Sequence, residues 1–256
     1  MKGIILDIDG VLLRGKEVVP GSLEAAGMLH EAGIGICYLT NNSTRRKDVL
    51  LDRLVGLGFP PGLVVTSALA ASKWILARNG MSKCLVVGER GLSEELIGDG
   101  HDVVGAGTGA GIDDLDFLVA GLDREFNYAK LEDALAAVRN GAVFVATNRD
   151  PTLPTEGGGV LPGAGAIISA IETCTGVEPV VVGKPESFST ELALNEMELE
   201  PGDVLMVGDR PDTDMEAGLR AGCRAAMVLT GDTADPEDGR FEVHADLLTL
   251  VKALLR

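Results

Sequence analysis

From the first residues to the last, short apolar runs of strand length alternate with longer stretches of helical period. This pattern of βα units leaves few solutions other than a mainly parallel sheet with helices packed on its faces. It predicts strands over 3–8, 35–40, 84–87, 116–120, 143–146, 180–182, 204–207 and 225–228. Helices are predicted over 22–32, 44–57, 67–79, 92–97, 128–140, 164–175, 187–197, 214–221 and 247–255. The helix at 22–32 carries Leu23, Ala26 and Leu29 on one face and is followed by Gly33, a favourable residue just past a helix end. The helix at 44–57 follows Asn41, Asn42 and Ser43, good capping residues, and stops before Gly58. The segment 10–20 reads as a loop or small flap, and no repeat of fixed period is visible.

Composition agrees with this class and excludes several functions. Apolar residues make up 46% of the chain and aromatic ones only 4%, as in buried parallel sheets built from Val, Ile, Leu and Ala. A net charge of −17 opposes a nucleic-acid partner, whose phosphates need many Lys and Arg side chains. Cys37, Cys84, Cys174 and Cys223 lie far apart with no C-x-x-C pair, which suits a reducing compartment better than a disulfide frame or zinc site. The apolar run at the N-terminus is broken by two aspartates, and no stretch approaches the roughly 20 apolar residues of a membrane span. A cytoplasmic protein without a membrane partner is expected.

The predicted strands end in chemistry. Asp7 and Asp9 follow IIL, Thr40, Asn41 and Asn42 follow CYL, Lys184 follows VVVG, and Asp209 and Asp214 lie in LMVGDRPDTD. Ligands of open parallel sheets bind at the carboxyl ends of the strands, so these residues converge although far apart in sequence. Singly, each has a plain structural explanation: a strand-end Asp forms turns, and Asp214 could cap the next helix. Together they place four carboxylates, a threonine and a lysine in one site. Carboxylates so crowded drive one another towards protonation, and a divalent cation relieves this. Hard oxygen donors favour Mg²⁺ over zinc. A lysine and a threonine beside such an ion suit a phosphoryl group and its transfer to a carboxylate nucleophile.

The ordered set D-x-D, T-N-N, K-P and G-D-x-x-x-x-D resembles the four motifs of the haloacid dehalogenase superfamily. LDIDGVLLRG, LTNNS, ATNRDPTLPTEGGGVLPGAGAI, VGKP and VGDRPDTD are together similar to its NagD-like, or 4-nitrophenylphosphatase, branch. The resemblance implies a doubly wound, Rossmann-like α/β core with an inserted α/β cap, and hydrolysis of small phosphorylated metabolites. It implies that Asp7 is the nucleophile and Asp9 the general acid and base. Thr40 and Lys184 would bind the transferring phosphoryl group, with Asn41 and Asn42 beside it. Mg²⁺ would be held by the carboxylates of Asp7 and Asp209 and the carbonyl of Asp9, with Asp214 orienting its waters.

Asp9 favours a phosphatase or phosphomutase over a dehalogenase, which lacks this second aspartate. The short interval from Asp9 to Thr40 and the long one from Thr40 to Lys184 put the insertion in the second position. The expected division is a core of 1–79 and 180–256 with a cap of 80–179, and the resemblance admits a homodimer joined through the cap. The loop 148–162 is expected over the active site, with Arg149, Asp150 and Glu156 as candidates for selecting the leaving group. A receiver-type phospho-aspartate signalling module is the alternative from another class, and a catalytically idle binding protein is a third reading. The stretch from Gly105 to Ala110 matches a dinucleotide-binding glycine pattern, but no helix follows it, so a flexible loop is expected there.

Overall fold

The computed structural model describes residues 1–154, 159–231 and 238–256. The chain begins with β1 (Gly3–Asp7), a hairpin of β2 (Leu13–Arg14) and β3 (Glu17–Val18), α1 (Ser22–Glu31), β4 (Gly35–Thr40), α2 (Lys47–Gly56), β5 (Leu63–Thr66) and α3 (Ser67–Asn79). It continues with β6 (Lys83–Val87), α4 (Arg90–Gly98), β7 (Asp102–Gly105), β8 (Phe117–Ala120), α5 (Tyr128–Arg139) and β9 (Val143–Ala146). Then come a second hairpin, β10 (Thr152–Pro154) and β11 (Val160–Pro162), α6 (Ala164–Thr175) and β12 (Val180–Val181). The last part holds α7 (Phe188–Met197), β13 (Val204–Gly208), α8 (Glu216–Arg220), β14 (Arg224–Val228), β15 (Glu242–His244) and α9 (Leu247–Leu254).

Two parallel sheets result. The first has six strands in the order β15-β14-β13-β1-β4-β5, and the second five in the order β12-β9-β8-β6-β7. Every residue of β1 is buried, and its alternate side chains serve opposite faces. Ile4 and Leu6 join a core with Ala25, Leu29 and Leu54 of α1 and α2, whereas Ile5 packs with Ala193 and Leu194 of α7. With helices on both faces, the sheet is doubly wound, and β1 lies between β4 on one side and β13 on the other. Such a reversal of strand order opens a crevice at the carboxyl edge.

The expected division of the chain does not coincide with the packing. Val180–Val181, assigned from sequence to the core, pairs with Val145 and Ala146 of the second sheet. Helix α3 spans both units: Leu69 packs in the first, while Ala68, Ala71, Trp74 and Ile75 pack with Val86 and Val119 of the second. The strands β5, β7 and β15 were not expected. Two of them have few apolar residues (DVVG and EVH), and LVVT of β5 follows directly on Pro60, Pro61 and Gly62.

The start of α2 is also corrected. Asn42 Oδ1 accepts hydrogen bonds from Thr44 N at 2.8 Å and Thr44 Oγ1 at 2.7 Å, closing a turn that delays the helix to Lys47. The residue before the helix, Arg46, supplies no side-chain cap. Glu95, buried on α4 of the other unit, accepts from Lys47 N at 3.0 Å instead. Close packing continues beside it, since a Cβ on Gly91 would lie 2.3 Å from Arg45 N. A helix of one unit is therefore capped by a carboxylate of the other.

The glycine-rich stretch is not a nucleotide site. The N–H groups of Gly107, Thr108 and Gly109 donate to one oxygen of Asp133 at 2.7, 3.2 and 3.1 Å. The loop expected to be flexible is thus tied to α5, and its anion-binding amides already hold a carboxylate. His101 is buried, with Nδ1 accepting from Ser82 N at 3.2 Å. Among the described residues, no helix is long and apolar enough to cross a membrane.

Replacing Glu95 by Ala removes the interdomain cap. The expected loss is about 1 kcal/mol of stability, within the range of helix caps, seen as a lower melting temperature. Glu95→Gln keeps the acceptor and should lose less. Equal losses in the two variants would mean that the cap contributes nothing.

Candidate active site

The carboxyl edge of the first sheet carries Asp7 as the last residue of β1, Thr40 as the last of β4, and Asp209 directly after β13. Lys184 arrives differently from expectation. It follows β12 of the second sheet, and its loop carries it back over the end of β1. The sequence alone put all four motifs at the ends of one sheet, but three come from one sheet and the fourth from its neighbour.

These residues surround a cavity of about 580 Å³. Lys184 is buried, and its ammonium donates to Asp7 Oδ1 and, at 2.6 Å, to Asp214 Oδ1. Asp214 is fixed from its other oxygen, which accepts from the N–H groups of Asp209 and Arg210, both at 3.1 Å. Asp214 is therefore no simple helix cap. A π-helical turn at Pro211–Met215, which takes in the first two residues of the helix expected over 214–221, aims its side chain back at the strand end. Asp7, Asp209 and Asp214 each present a carboxylate oxygen within 4.8 Å of the others.

Crowding and burial control the charge of this group. Burial holds the Asp7 carboxyl well above the ordinary carboxylate range; Lys184 pulls it down, while Asp214, Asp209 and Asp9 push it up. Burial and the neighbouring Asp214 push Asp209 up to about 7. Burial opposes the charge on Lys184, but Asp214 and Asp7 overcome it and raise its pKa. Asp9 is accessible from the cavity. Withdrawal from bulk water still raises its carboxyl, against Lys184 and Arg53.

The remaining sequence candidates divide. Asn41 and Asn42 line the cavity, but both side chains already have protein partners. Asn42 Oδ1 closes the turn at Thr44. Asn41 Nδ2 donates to Asp150 Oδ2 and to the Lys184 carbonyl, each at 3.0 Å. Asp150 lines the cavity and also receives Arg210 Nη1 at 3.4 Å. Arg149 points elsewhere: exposed, it pairs with Glu172 at 2.8 Å and does not line the cavity. Glu156 lies outside the described residues.

Several lining residues had not been singled out. Leu122, Leu153, Val160 and Ala164 form an apolar side, and Arg14 and Glu17 come from the first hairpin. Arg210 and Asn148 had a visible signal, since both follow strands, one inside GDRPDTD and the other in ATN. The hairpin residues had none, because their position depends on how the flap folds over the sheet.

Comparison with known proteins agrees with this geometry. The family model of haloacid dehalogenase-like hydrolases matches residues 4–102, and a second model, of HAD-like hydrolases, matches 181–252. The chain is 35% identical over 234 residues to a 5'-nucleotidase of Bacillus subtilis, covering 91% of this chain and 88% of that protein. It is 37% identical to an acid sugar phosphatase of Staphylococcus saprophyticus, with coverage of 92% and 89%. Its structure matches a p-nitrophenyl phosphatase from Archaeoglobus fulgidus with a TM-score of 0.89 and 35% identity over 98% of both chains. These relatives are phosphatases, not receiver-type signalling modules. With the motif residues gathered at one sheet edge and the likeness running through nearly the whole chain, the protein belongs to the haloacid dehalogenase-like hydrolases, as a NagD-like phosphomonoester hydrolase.

Proposed function

We propose that the protein hydrolyses small phosphate monoesters through a phosphoryl group carried on Asp7. The observation that supports this best is the Lys184 ammonium held between Asp7 and Asp214 at the end of β1. An Asp7 oxygen attacks phosphorus while the bond to the leaving oxygen breaks, and Asp9 as the acid gives that oxygen its proton. Asp9, now a carboxylate, takes a proton from the water that attacks the phosphoryl group. The bond to Asp7 breaks, and inorganic phosphate leaves. Lys184 and the Thr40 hydroxyl stabilise the charge on the transferring group.

The acidic cluster fits Mg²⁺. Its donors are buried carboxylate oxygens, and burial together with their mutual repulsion holds the Asp7 and Asp209 carboxyls above the ordinary range, a cost that a cation would relieve. The side chains of Asp7 and Asp209 and the carbonyl of Asp9 would hold the ion, and Asp214 would orient its waters. When bound, it neutralises the carboxylates and draws charge from the phosphoryl oxygens. The five-stranded unit, with most of 80–179, acts as the cap, and the loop 148–162 selects the leaving group through Asp150 and the apolar side of the cavity. Four free thiols support a cytoplasmic location. The acid sugar phosphatase and 5'-nucleotidase relatives point to a sugar or a nucleoside as leaving group.

Asp7→Asn keeps the shape and removes the nucleophilic charge, so turnover should fall to background with the fold retained. Measurable turnover above background would move the nucleophile elsewhere. Asp9→Asn should spare the first step for 4-nitrophenyl phosphate, whose leaving group needs little acid help, and slow attack by water. A burst of nitrophenol followed by slow turnover is expected in stopped flow, and a linear trace would remove Asp9 from the second step.

Stability should report the metal. In chelator, the raised pKa of Asp209 contributes stability that is fully present below its unfolded value of 3.8 and is lost as pH rises through about 7. The melting temperature in EDTA should therefore fall between about pH 4 and about pH 7 and level off above, and added Mg²⁺ should raise it most at the alkaline end. Activity should vanish in EDTA and return with Mg²⁺. A stabilisation by Mg²⁺ that does not grow with pH would count against these ligands.

A further inference from the structure

Asn41 holds more of the site together than its neighbours do. Its Oδ1 accepts from Lys184 N at 2.9 Å, while its Nδ2 donates to Lys184 O and Asp150 Oδ2, both at 3.0 Å. Its carbonyl receives Ser67 Oγ at 2.6 Å and Asn148 Nδ2 at 2.8 Å. Asn148 in turn accepts from Asp150 N at 3.0 Å. One carboxamide thus bridges the end of β4, the main chain of the lysine motif and the loop leaving β9. With both ends of that amide engaged, it is not free to bind phosphate.

The backbone around it is shaped to the same contact. Gly183 precedes the lysine, and a Cβ there would lie 2.3 Å from Thr147 O and 2.6 Å from Asn41 Oδ1. The two loops approach too closely for any side chain at that position. Lys184 leaves from the second sheet, so the strand order of the first sheet does not hold its ammonium over β1. Something must join the two, and Asn41 is the side chain that grips Lys184 at both its N–H and its carbonyl.

We propose that Asn41 is a positioning residue: it sets the main chain of Lys184 so that the ammonium meets Asp7, and ties that placement to Asp150 and the cap loop. This rests on the reading of Asp7 and Lys184 as nucleophile and phosphoryl-binding cation. Loss of Asn41 should lower kcat about ten- to a hundredfold, as small misplacements of reacting groups do, with little change in KM.

A double-mutant cycle on single turnovers of 4-nitrophenyl phosphate with Mg²⁺ tests it. Full activity of Lys184→Ala alone would overturn the reading of the site, whatever Asn41 does. If Lys184→Ala is impaired, adding Asn41→Ala should cost only about twofold more, because both changes act on one group. The same fold-loss in both backgrounds would make Asn41 an independent phosphate contact and overturn the proposal. A second measurement needs neither substrate nor the lysine variant. Amine acylation read by mass spectrometry should label Lys184 faster in Asn41→Ala and Asn41→Asp than in wild type. Lys73 and Lys130, in ion pairs with Asp99 and Asp123, should label at unchanged rates. Unchanged labelling of Lys184, or faster labelling of all three lysines, would overturn it.

Discussion

The contact on which the site depends is the buried ammonium of Lys184 between Asp7 and Asp214. A charge so far from water is tolerated only with partners, and removing one member of such a set typically costs about 3–5 kcal/mol. The remaining geometry serves this contact. Asp214 is aimed by the π-helical turn and held by the Asp209 and Arg210 amides, and Asp7 is placed by a fully buried strand. The carboxylates still exceed the positive charge beside them, which adds to burial in holding the Asp7 and Asp209 carboxyls above the ordinary range. That excess is an electrostatic invitation to a divalent cation and a phosphate.

Two sheets build this one site, and they meet in a few specific places. Glu95 caps a helix across the boundary, α3 packs on both units, and Asn41 joins the lysine loop to the cap loop. The cap is accordingly continuous with the catalytic edge rather than merely set over it. A shift of the cap loop would be felt at Asp150, at Asn41 and at the Lys184 main chain, because these are successive hydrogen-bonded neighbours. On the proposed reading, selection of the leaving group and alignment of the Lys184 ammonium then share parts.

Much of this was legible in residue order. The alternating apolar runs specified the parallel α/β class, since periodicities of 2 and 3.6 in turn admit little else. Polar residues after the apolar runs single out Asp7, Asp9, Thr40, Lys184, Asp209 and Asp214, because strand ends are where such sheets bind ligands. Strands without an apolar signature escaped: EVH of β15 pairs with β14 through its backbone, which side-chain patterning does not reveal.

By itself the sequence determined the class of fold, the identity of the charged residues and the chemistry that so many carboxylates beside one lysine permit. Tertiary structure alone decided that β12 joins the second sheet, that Arg149 turns to Glu172 while Asp150 faces the cavity, and that Asn41 is spent on the lysine loop. The physical reason is one of range. Periodicity and strand-end position are local properties written within a few residues, whereas the Asn41 contacts span more than a hundred positions. Such pairings exist only once two sheets have packed and their backbones have come close enough to require Gly183.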